Sequence, residues 1–270
     1  MTVLAILKID AKRLPGSAIA ASLAVLAIAA PAAQARSPRS AALPEAPSAQ
    51  MTAPASLRLA RAFRAAGDPV SSISLYRAML AQKGADPSLR VELADTLVDA
   101  GMVDDAIALY SQVDAKSPEG PAALLGMAGA QLRLGQPAKA LDYADRSLAA
   151  APNNERALVA RGVALDDLGR HAEAQDAYRT ALGQAPASVP ARSDLALSLA
   201  ITGRFQEAVD LLGPIARSAN ATPRLRQNLA FVYGLKGDRD AAQALGKADL
   251  DPATTEANQR FFDLVRQPAR

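Results

Sequence analysis

Small apolar residues and turn-forming residues alternate along this chain with one fixed period. Six glycines lie 34 residues apart without a break in the series: Gly67, Gly101, Gly135, Gly169, Gly203 and Gly237. Five residues after each glycine stands a small side chain: Ser72, Ala106, Ala140, Ala174, Ala208 and Ala242. Seven residues before each stands another: Ala60, Ala94, Ala128, Gly162, Ala196 and Ala230. A constant period of this length predicts an array of stacked repeats.

Each repeat is predicted to be a pair of helices joined by a short turn. The glycine ends the first helix, because the left-handed conformation that terminates a helix suits glycine best. The small residues before and after the turn let the two helices approach closely. A proline follows three of the glycines by 17 residues, at Pro118, Pro152 and Pro186, and is expected to end the second helix. One hairpin cannot bury its apolar face alone, so the hairpins are predicted to stack.

The residues of this period resemble the tetratricopeptide repeat (TPR). In the fourth repeat the family positions are filled by Leu158, Gly162, Leu165, Gly169, Ala174, Tyr178, Ala181, Leu182 and Pro186. The large side chain of the second helix is Tyr76, Tyr110 and Tyr178 in three repeats, and Ala144, Leu212 and Gly246 in the others. The resemblance implies an all-α fold, an α/α superhelical solenoid of six TPR helix hairpins. Their ranges are 53–86, 87–120, 121–154, 155–188, 189–222 and 223–256.

The chain continues past the sixth repeat into one more amphipathic segment. Asp251-Pro252 is expected to close the last second helix early, and residues 253–267 are predicted to form a C-terminal capping helix. The apolar side chains available to cover the open end of the array are Phe261, Phe262, Leu264 and Val265. The alternative is that the two phenylalanines form a docking patch for a partner.

The first 35 residues have the order of an export signal. Three basic residues, the last of them Arg13, precede an apolar stretch at residues 14–30, and Ala33-Gln34-Ala35 matches the small-x-small cleavage pattern. A cleaved signal peptide at 1–35, leaving Arg36 as the first mature residue, is therefore expected. The alternative is an inner-membrane anchor through residues 14–30.

Composition narrows the classes of function. Of the 270 residues 50% are hydrophobic and 4% aromatic, which suits an alanine-rich helical array better than a sandwich or barrel. The chain has no cysteine for a disulfide, a thiolate metal site or a cysteine-linked lipid. Its net charge of +3 is too small to indicate nucleic-acid binding. Residues 36–52, rich in Ala, Pro, Ser and Arg, are predicted to be a disordered linker, either a spacer or a tether for reaching a partner.

No catalytic, metal or cofactor residues are indicated by the sequence. The single histidine, His171, stands two residues after a repeat glycine, where the TPR family usually carries an aromatic, so packing between helices is its expected role. The acid pairs Asp104-Asp105 and Asp166-Asp167 are adjacent in sequence, and adjacent helical side chains point about 100° apart. Neither pair is therefore a natural metal site or acid–base dyad. The sequence predicts a protein that is not an enzyme and takes no cofactor, nucleic acid or small-molecule substrate.

In TPR arrays the first helices line a concave groove, and this family geometry implies a partner-binding face here. Its charged and polar members are Arg58, Arg61, Arg64, Glu92, Asp95, Asp194 and Asn228, and its apolar members are Leu125, Leu132, Val159, Val163, Leu197 and Phe231. The resemblance implies that a protein partner or peptide segment binds through the apolar centre while the charged ends set its orientation.

The last repeat carries a second, narrower resemblance. Arg226-Gln227-Asn228-Leu229-Ala230, Gly234-Leu235, Gly237-Asp238, the run from Ala248 to Pro252, and Asn258 are similar to the C-terminal part of the TadD-type proteins of bacterial tight-adherence (Flp) pilus machinery. This resemblance implies a periplasmic scaffold that assists assembly of the pilus or of its secretin-type pore, with the secretin or another pilus component as partner. The alternative is a general cell-envelope scaffold for cell-wall enzymes or exopolysaccharide export.

Overall fold

The computed structural model of the protein describes residues 53–83 and 86–266, and the regular elements in these ranges are all α-helices. The predicted signal peptide, the alternative anchor and the linker lie outside the described residues. The helices are α1 (Ala53–Ala65), α2 (Pro69–Lys83), α3 (Pro87–Asp99), α4 (Val103–Tyr110), α5 (Gly120–Arg133), α6 (Pro137–Ala150), α7 (Glu155–Asp167), α8 (His171–Gln184), α9 (Val189–Ile201), α10 (Phe205–Ala216), α11 (Pro223–Lys236), α12 (Arg239–Gly246) and α13 (Pro252–Val265).

The helices form two compact units, one ending at Pro152 and the other beginning at Asn153. In the first unit three hairpins, α1–α2, α3–α4 and α5–α6, pack so that each second helix contacts the first helix of the next hairpin. The second unit repeats this arrangement with α7–α8, α9–α10 and α11–α12, and α13 packs on both helices of its last hairpin. The all-α fold of TPR hairpins expected from the sequence is the fold observed.

The six turns between paired helices share one geometry. Each repeat glycine adopts a left-handed backbone, with φ between 66° and 92°, as the glycine period predicts. The residue after each glycine donates its N–H to the carbonyl five positions earlier, over 2.8–2.9 Å in every repeat. This bond is the signature of the Schellman motif, which satisfies a carbonyl that the helix end leaves without a partner. The sequence prediction of these turns is therefore confirmed.

The small residues lie where the paired helices cross. All six residues placed five positions after the glycines are buried, with at most 3% of their surface exposed. In the first repeat Ser72 Oγ donates a 2.9 Å hydrogen bond to the carbonyl of Ala60, which joins one small position directly to the other. Of the residues seven positions before the glycines, only Ala230 is half-buried rather than buried. Close helix contact is therefore the reason for both small-residue series.

A further 34-residue series caps the first helices. The side-chain oxygens of Asp86, Asn154, Ser188 and Thr222 accept backbone N–H groups of the first turns of α3, α7, α9 and α11, over 3.0–3.3 Å. Such side chains satisfy donors that the start of a helix leaves free. In these four repeats the cap fixes where the first helix begins, as the glycine fixes where it ends.

The expected end of the second helix is right for two repeats and wrong for one. Helices α6 and α8 end two residues before Pro152 and Pro186, but α4 ends at Tyr110, eight residues before Pro118. Beyond that point Ser111 Oγ and Gln112 Nε2 both donate to the carbonyl of Ala108, at 2.8 and 3.2 Å. These side chains compete with the backbone for its helical acceptor, and the helix stops early.

Candidate partner-binding face

Predicted partner-binding charges at the start of the array form an ion-pair cluster between α1 and α3. Arg61 donates two hydrogen bonds to the carboxylate of Glu92, one of them 2.9 Å long from Nε. The hydroxyl of Tyr76, a buried side chain on α2, donates to the same carboxylate over 2.6 Å. Burial raises the pKa of Glu92, but these donors outweigh it and the pKa is lowered overall. Glu92 therefore stays ionised as the link between the first two hairpins.

A second set of pairs continues the cluster along the same two helices. Arg64 Nε donates to Asp99 over 2.6 Å and its Nη1 lies 3.6 Å from Asp95. Asp95 accepts a 2.5 Å hydrogen bond from Tyr110, whose pKa burial raises. A shallow depression in the surface is lined by side chains of this cluster and by Ala65. The structure thus brings four predicted site residues together, but they neutralise one another, while Arg58 lies exposed on α1.

The apolar members of the predicted face differ in accessibility. Leu125 on α5 and the pair Val159 and Val163, one turn apart on α7, are half-buried and keep part of their surface open. Leu132 is 8% exposed and Leu197 is 3% exposed, so both lie within the packed interior. Half-buried valine and leucine side chains are the ones that can contact a ligand without displacing other groups.

Phe231 and Asn228, on α11, also lie in the interior of the second unit. Phe231 meets Phe262 of α13 edge to face, with ring centroids 5.8 Å apart, and Asn228 Nδ2 donates to Ser193 Oγ over 2.7 Å. The backbone of Gly234 forms the seat of the Phe262 ring, since a Cβ there would stand 2.3 Å from it. The resemblance to TPR arrays implies that Phe231 lies on the groove side, but it does not show that the last helix covers this residue.

The second unit contains a polar cluster that the sequence does not predict. The carboxylate of Asp166, at the end of α7, accepts from His171 Nδ1 and Ser198 Oγ, each at 2.8 Å, and from the hydroxyl of Tyr178 at 3.0 Å. Burial raises the pKa of Asp166 despite these three donors. On the neighbouring α9, burial raises the pKa of Asp194 to about 6.

Asp, His and Ser meet in this cluster without the geometry of a nucleophilic triad. In a Ser-His-Asp triad the histidine lies between the acid and the serine hydroxyl, and it removes the proton of that hydroxyl. Here His171 and Ser198 both bond the same oxygen of Asp166, so the serine hydroxyl donates its hydrogen bond to the carboxylate and not to the imidazole. The arrangement positions helices and does not activate Ser198 as a nucleophile.

The described ranges, residues 53–83 and 86–266, hold neither a metal cluster nor a membrane-spanning helix. They contain no group of three or more His, Asp or Glu side chains placed to hold a metal ion. Within the same ranges no helix is both long and apolar enough to cross a bilayer.

Sequence comparison identifies the repeats. Two family models described as tetratricopeptide repeat match the chain, the first at residues 63–115 and 97–162 and the second at residues 159–213, so that together they span more than half of the sequence. Neither model describes a catalytic family. No curated protein matches this chain in sequence.

Solved structures share the fold. A tetratricopeptide repeat protein from Parabacteroides merdae is 20% identical with a TM-score of 0.60, over 78% of this chain and 85% of that one. A thermophilic TPR protein from Thermus thermophilus is 22% identical with a TM-score of 0.56, over 67% of this chain and all of that one. The APC/C hetero-tetramer Cut9–Hcn1 is 13% identical with a TM-score of 0.66, over 77% of this chain and 42% of that one. At these identities the similarity establishes the fold alone.

Stacked hairpins of this kind are generally non-enzymatic scaffolds suited to binding other proteins. The repeat period, the shared turn geometry and the matching models agree over the same residues. This chain therefore belongs to the tetratricopeptide-repeat family.

Proposed function

We propose that this chain is an exported, non-enzymatic TPR scaffold that binds a protein partner in the periplasm during assembly of a tight-adherence (Flp) pilus or of its secretin pore. The observation that carries the proposal is the run of residues in the sixth repeat that resembles the TadD-type proteins, from Arg226 to Ala230 and from Ala248 to Pro252. The predicted signal peptide at 1–35 supports the periplasmic location in this proposal.

The residues of this run have a defined task in the structure. Arg226 donates two hydrogen bonds to Asp249, one of them 2.7 Å long from Nε, and a third of 2.6 Å to the carbonyl of Ala221. Asp249 exposes only 7% of its side chain. Asp251 then caps α13 by accepting from the N–H of Thr254 over 2.9 Å. The run therefore fixes the junction between the last hairpin and α13, a feature that the earlier repeats do not need.

A partner segment is expected to contact the half-buried apolar residues of the first helices. Val159 and Val163 stand one helical turn apart on α7, and both are half-buried. Apolar anchors dominate affinity at such surfaces, and charges at the rim mostly change association rates and salt dependence. The cluster of Arg61 and Glu92 satisfies its own charges, so it is expected to add little affinity.

Complementation of a deletion strain tests the proposal. Secretin multimers are measured in envelopes of cells that lack this protein, after supplying the parent chain, Val163→Glu or the control Thr180→Glu. Thr180 is exposed on α8, on the second helix of the same hairpin. The parent and Thr180→Glu are expected to restore the multimers and Val163→Glu to fail, with equal thermal melts for both variants. Normal multimers in the deletion strain itself would contradict the proposal.

A further inference from the structure

The repeats of the chain serve as comparisons for one another, and one position of the first helix carries an acid in only two of them. The acid is Glu92 in the second repeat and Asp194 in the fifth. At this position the other repeats have Arg58, Gly126, Ala160 and Asn228. All six repeats nevertheless form the same hairpin with the same glycine turn. The fold therefore does not require a carboxylate here, and each of the two acids has a local role.

Glu92 is satisfied by side chains of the first hairpin. Arg61, on the first helix of that hairpin, donates to both carboxylate oxygens, from Nε over 2.9 Å and also from Nη2. The hydroxyl of Tyr76, on the second helix, donates over 2.6 Å. A guanidinium that bonds both oxygens of a carboxylate forms one of the stronger side-chain interactions in proteins. The second repeat thus shows which group this position binds when the partner belongs to the chain itself.

Asp194 lacks both of these partners among the described residues. Val163 stands at the position of Arg61 in the fourth repeat, and Tyr178 stands at that of the tyrosine. Valine donates no hydrogen bond, and the hydroxyl of Tyr178 is directed to Asp166 instead. Within the part of the chain that the structure describes, Asp194 has neither a hydrogen-bond donor nor an ion pair. The fifth repeat therefore keeps the carboxylate without the cation.

The environment of Asp194 favours a positive group. The residue is half-buried, and burial raises its pKa to about 6. Electrostatic attraction to Arg224 of α11 opposes this rise, and repulsion by Asp166 adds to it. An ionised carboxylate that is partly removed from water without a donor is costly, and a cation that reaches it offsets the cost. Charge complementarity therefore favours a cationic group on a ligand at this place.

Apolar surface adjoins this carboxylate. Ser198, four residues after Asp194 on α9, donates to Asp166 of α7 over 2.8 Å, which holds the two helices side by side. Residues four apart share one helix face, so Asp194 also faces α7, about one turn before Asp166. That part of α7 carries the half-buried Val159 and Val163. An acid and two accessible valines are thus available to the same ligand.

We propose that Asp194 and Val163 form a subsite for an arginine side chain of the protein partner, in the place that Arg61 takes in the first repeat. The guanidinium bonds the carboxylate of Asp194, and apolar side chains next to this arginine pack on Val159 and Val163. Arginine suits the subsite better than lysine, because only a guanidinium forms two parallel hydrogen bonds to one carboxylate. This inference rests on the proposed function, since it names the chemistry of the partner at the same face.

Peptide selection on the purified full chain tests the subsite. Random peptides displayed on phage are selected at about pH 7.5, where a carboxyl with a pKa of about 6 is ionised, against the parent, Asp194→Asn and Asp176→Asn. Asp176 is the control, because it is exposed on α8, a second helix, and pairs with Arg179. The parent and Asp176→Asn are expected to select an arginine beside apolar residues, and Asp194→Asn is expected not to. Equal thermal melts show that both variants fold.

A selected peptide then measures what the arginine contributes. Replacing it with citrulline, its neutral isostere, is expected to weaken binding to the parent about tenfold, and replacing it with lysine about threefold. Asp194→Asn should bind the arginine and citrulline peptides equally, because the charge that distinguishes them is gone. An equal loss with citrulline in the parent and in Asp194→Asn would mean that the arginine binds elsewhere.

A variant of the chain gives a second test that needs no peptide. Val163→Arg places a guanidinium where the first repeat has Arg61. The change in Tm that this substitution causes should be about 2–4 °C more favourable in the parent than in Asp194→Asn. The same change in both backgrounds would show that a guanidinium at this face does not reach Asp194, and the subsite would be wrong.

Three further outcomes would overturn the subsite. Two are a parent that does not enrich arginine and an Asp194→Asn chain that still enriches it. The third is a photoreactive amino acid at position 163 that, in the purified chain, crosslinks to residues 36–52 or to a second copy, because the occupant would then not be a partner. Failure of the pilus role is a separate result. Normal secretin multimers in the deletion strain would leave the peptide measurements unchanged, and loss of arginine selection would leave complementation by the parent unchanged.

Discussion

Replacing Gly162 with alanine should destabilise the second unit, although alanine is the better helix former. A Cβ at this position in α7 would stand 2.4 Å from one ring carbon of Tyr178 and 2.8 Å from two others. Carbon atoms in contact prefer separations of about 3.5–4.0 Å, so the overlap exceeds about 1 Å. The ring cannot move away from the added methyl group, because Tyr178 is 1% exposed and its hydroxyl donates a 3.0 Å hydrogen bond to Asp166.

The expected change in the free energy of unfolding is the sum of two losses and one gain. Overpacking costs about 1–3 kcal/mol, and weakening the hydrogen bond of Tyr178 to a charged group adds about 1 kcal/mol or more. The higher helix propensity of alanine offsets about 1 kcal/mol of this loss in stability. The net loss of about 2 kcal/mol corresponds to a fall in Tm of about 4–8 °C for a chain of this size.

A matched control uses the same substitution where space is open. A Cβ at Gly183, on α8 of the same hairpin, would meet no atom within 4 Å. Gly183→Ala should therefore raise the Tm by about 2–4 °C, because alanine has the higher helix propensity. The two alanine variants, measured by circular dichroism melts, are predicted to shift in opposite directions.

A double-mutant cycle identifies the cause. The fifth repeat carries Ala196 and Leu212 at the positions of Gly162 and Tyr178. A leucine at position 178 should therefore leave room for the Cβ of an alanine at position 162. In a Tyr178→Leu background the cost of Gly162→Ala should largely disappear, since the ring that it strikes is gone. An unchanged cost in that background, or a Gly162→Ala chain that melts at or above the parent temperature, would refute the reasoning.

The remaining predictions concern packing and processing. Ala174→Trp should destabilise the chain by several kcal/mol, because Ala174 is fully buried at a helix crossing, and a thermal melt within about a degree of the parent would contradict this. Phe262→Ala should lower the free energy of unfolding by about 3 kcal/mol and reduce the hydrogen-exchange protection of α11 and α13, since the ring packs on Phe231. Unchanged protection of α11 would argue against α13 as its capping helix. Mass spectrometry of envelope protein should find Arg36 at the N-terminus after cleavage following Ala35, whereas a full-length chain in the inner membrane would favour the anchor.

The turns and helix crossings of the repeats could be predicted because they depend on residues close in sequence. The left-handed turn at Gly169 depends only on its neighbours in the chain. The burial of Ala174 depends only on the paired helix of the same hairpin. The early end of α4 also depends on residues close in sequence, but the side-chain hydrogen bonds that cause it are individually weak. Ser111 and Gln112 compete for the carbonyl of Ala108, but no motif in the sequence marks this competition. The repeat pattern favoured Pro118 as the end of the helix instead.

Contacts between distant residues were not predictable from the period. The partners of Asp166 include Ser198, 32 positions away, and a single histidine whose position suggested ordinary packing. The burial of Phe231 depends on where α13 lies, and its amphipathic pattern does not specify which side of the last hairpin it covers. The members of the partner-binding face that keep accessible surface stay predictions, and the half-buried Val159 and Val163 are the best placed of them.

Site-specific photo-crosslinking measures the central claim most directly. A photoreactive amino acid is placed at Val163, on the first helix of the fourth hairpin, and at Thr180, exposed on its second helix, and living cells are irradiated. A scaffold that holds its partner on the first helices gives a crosslink to the secretin or another pilus component from position 163 and none from position 180. Crosslinks from position 180 alone, or identical products from both positions, would contradict the assignment of the binding face.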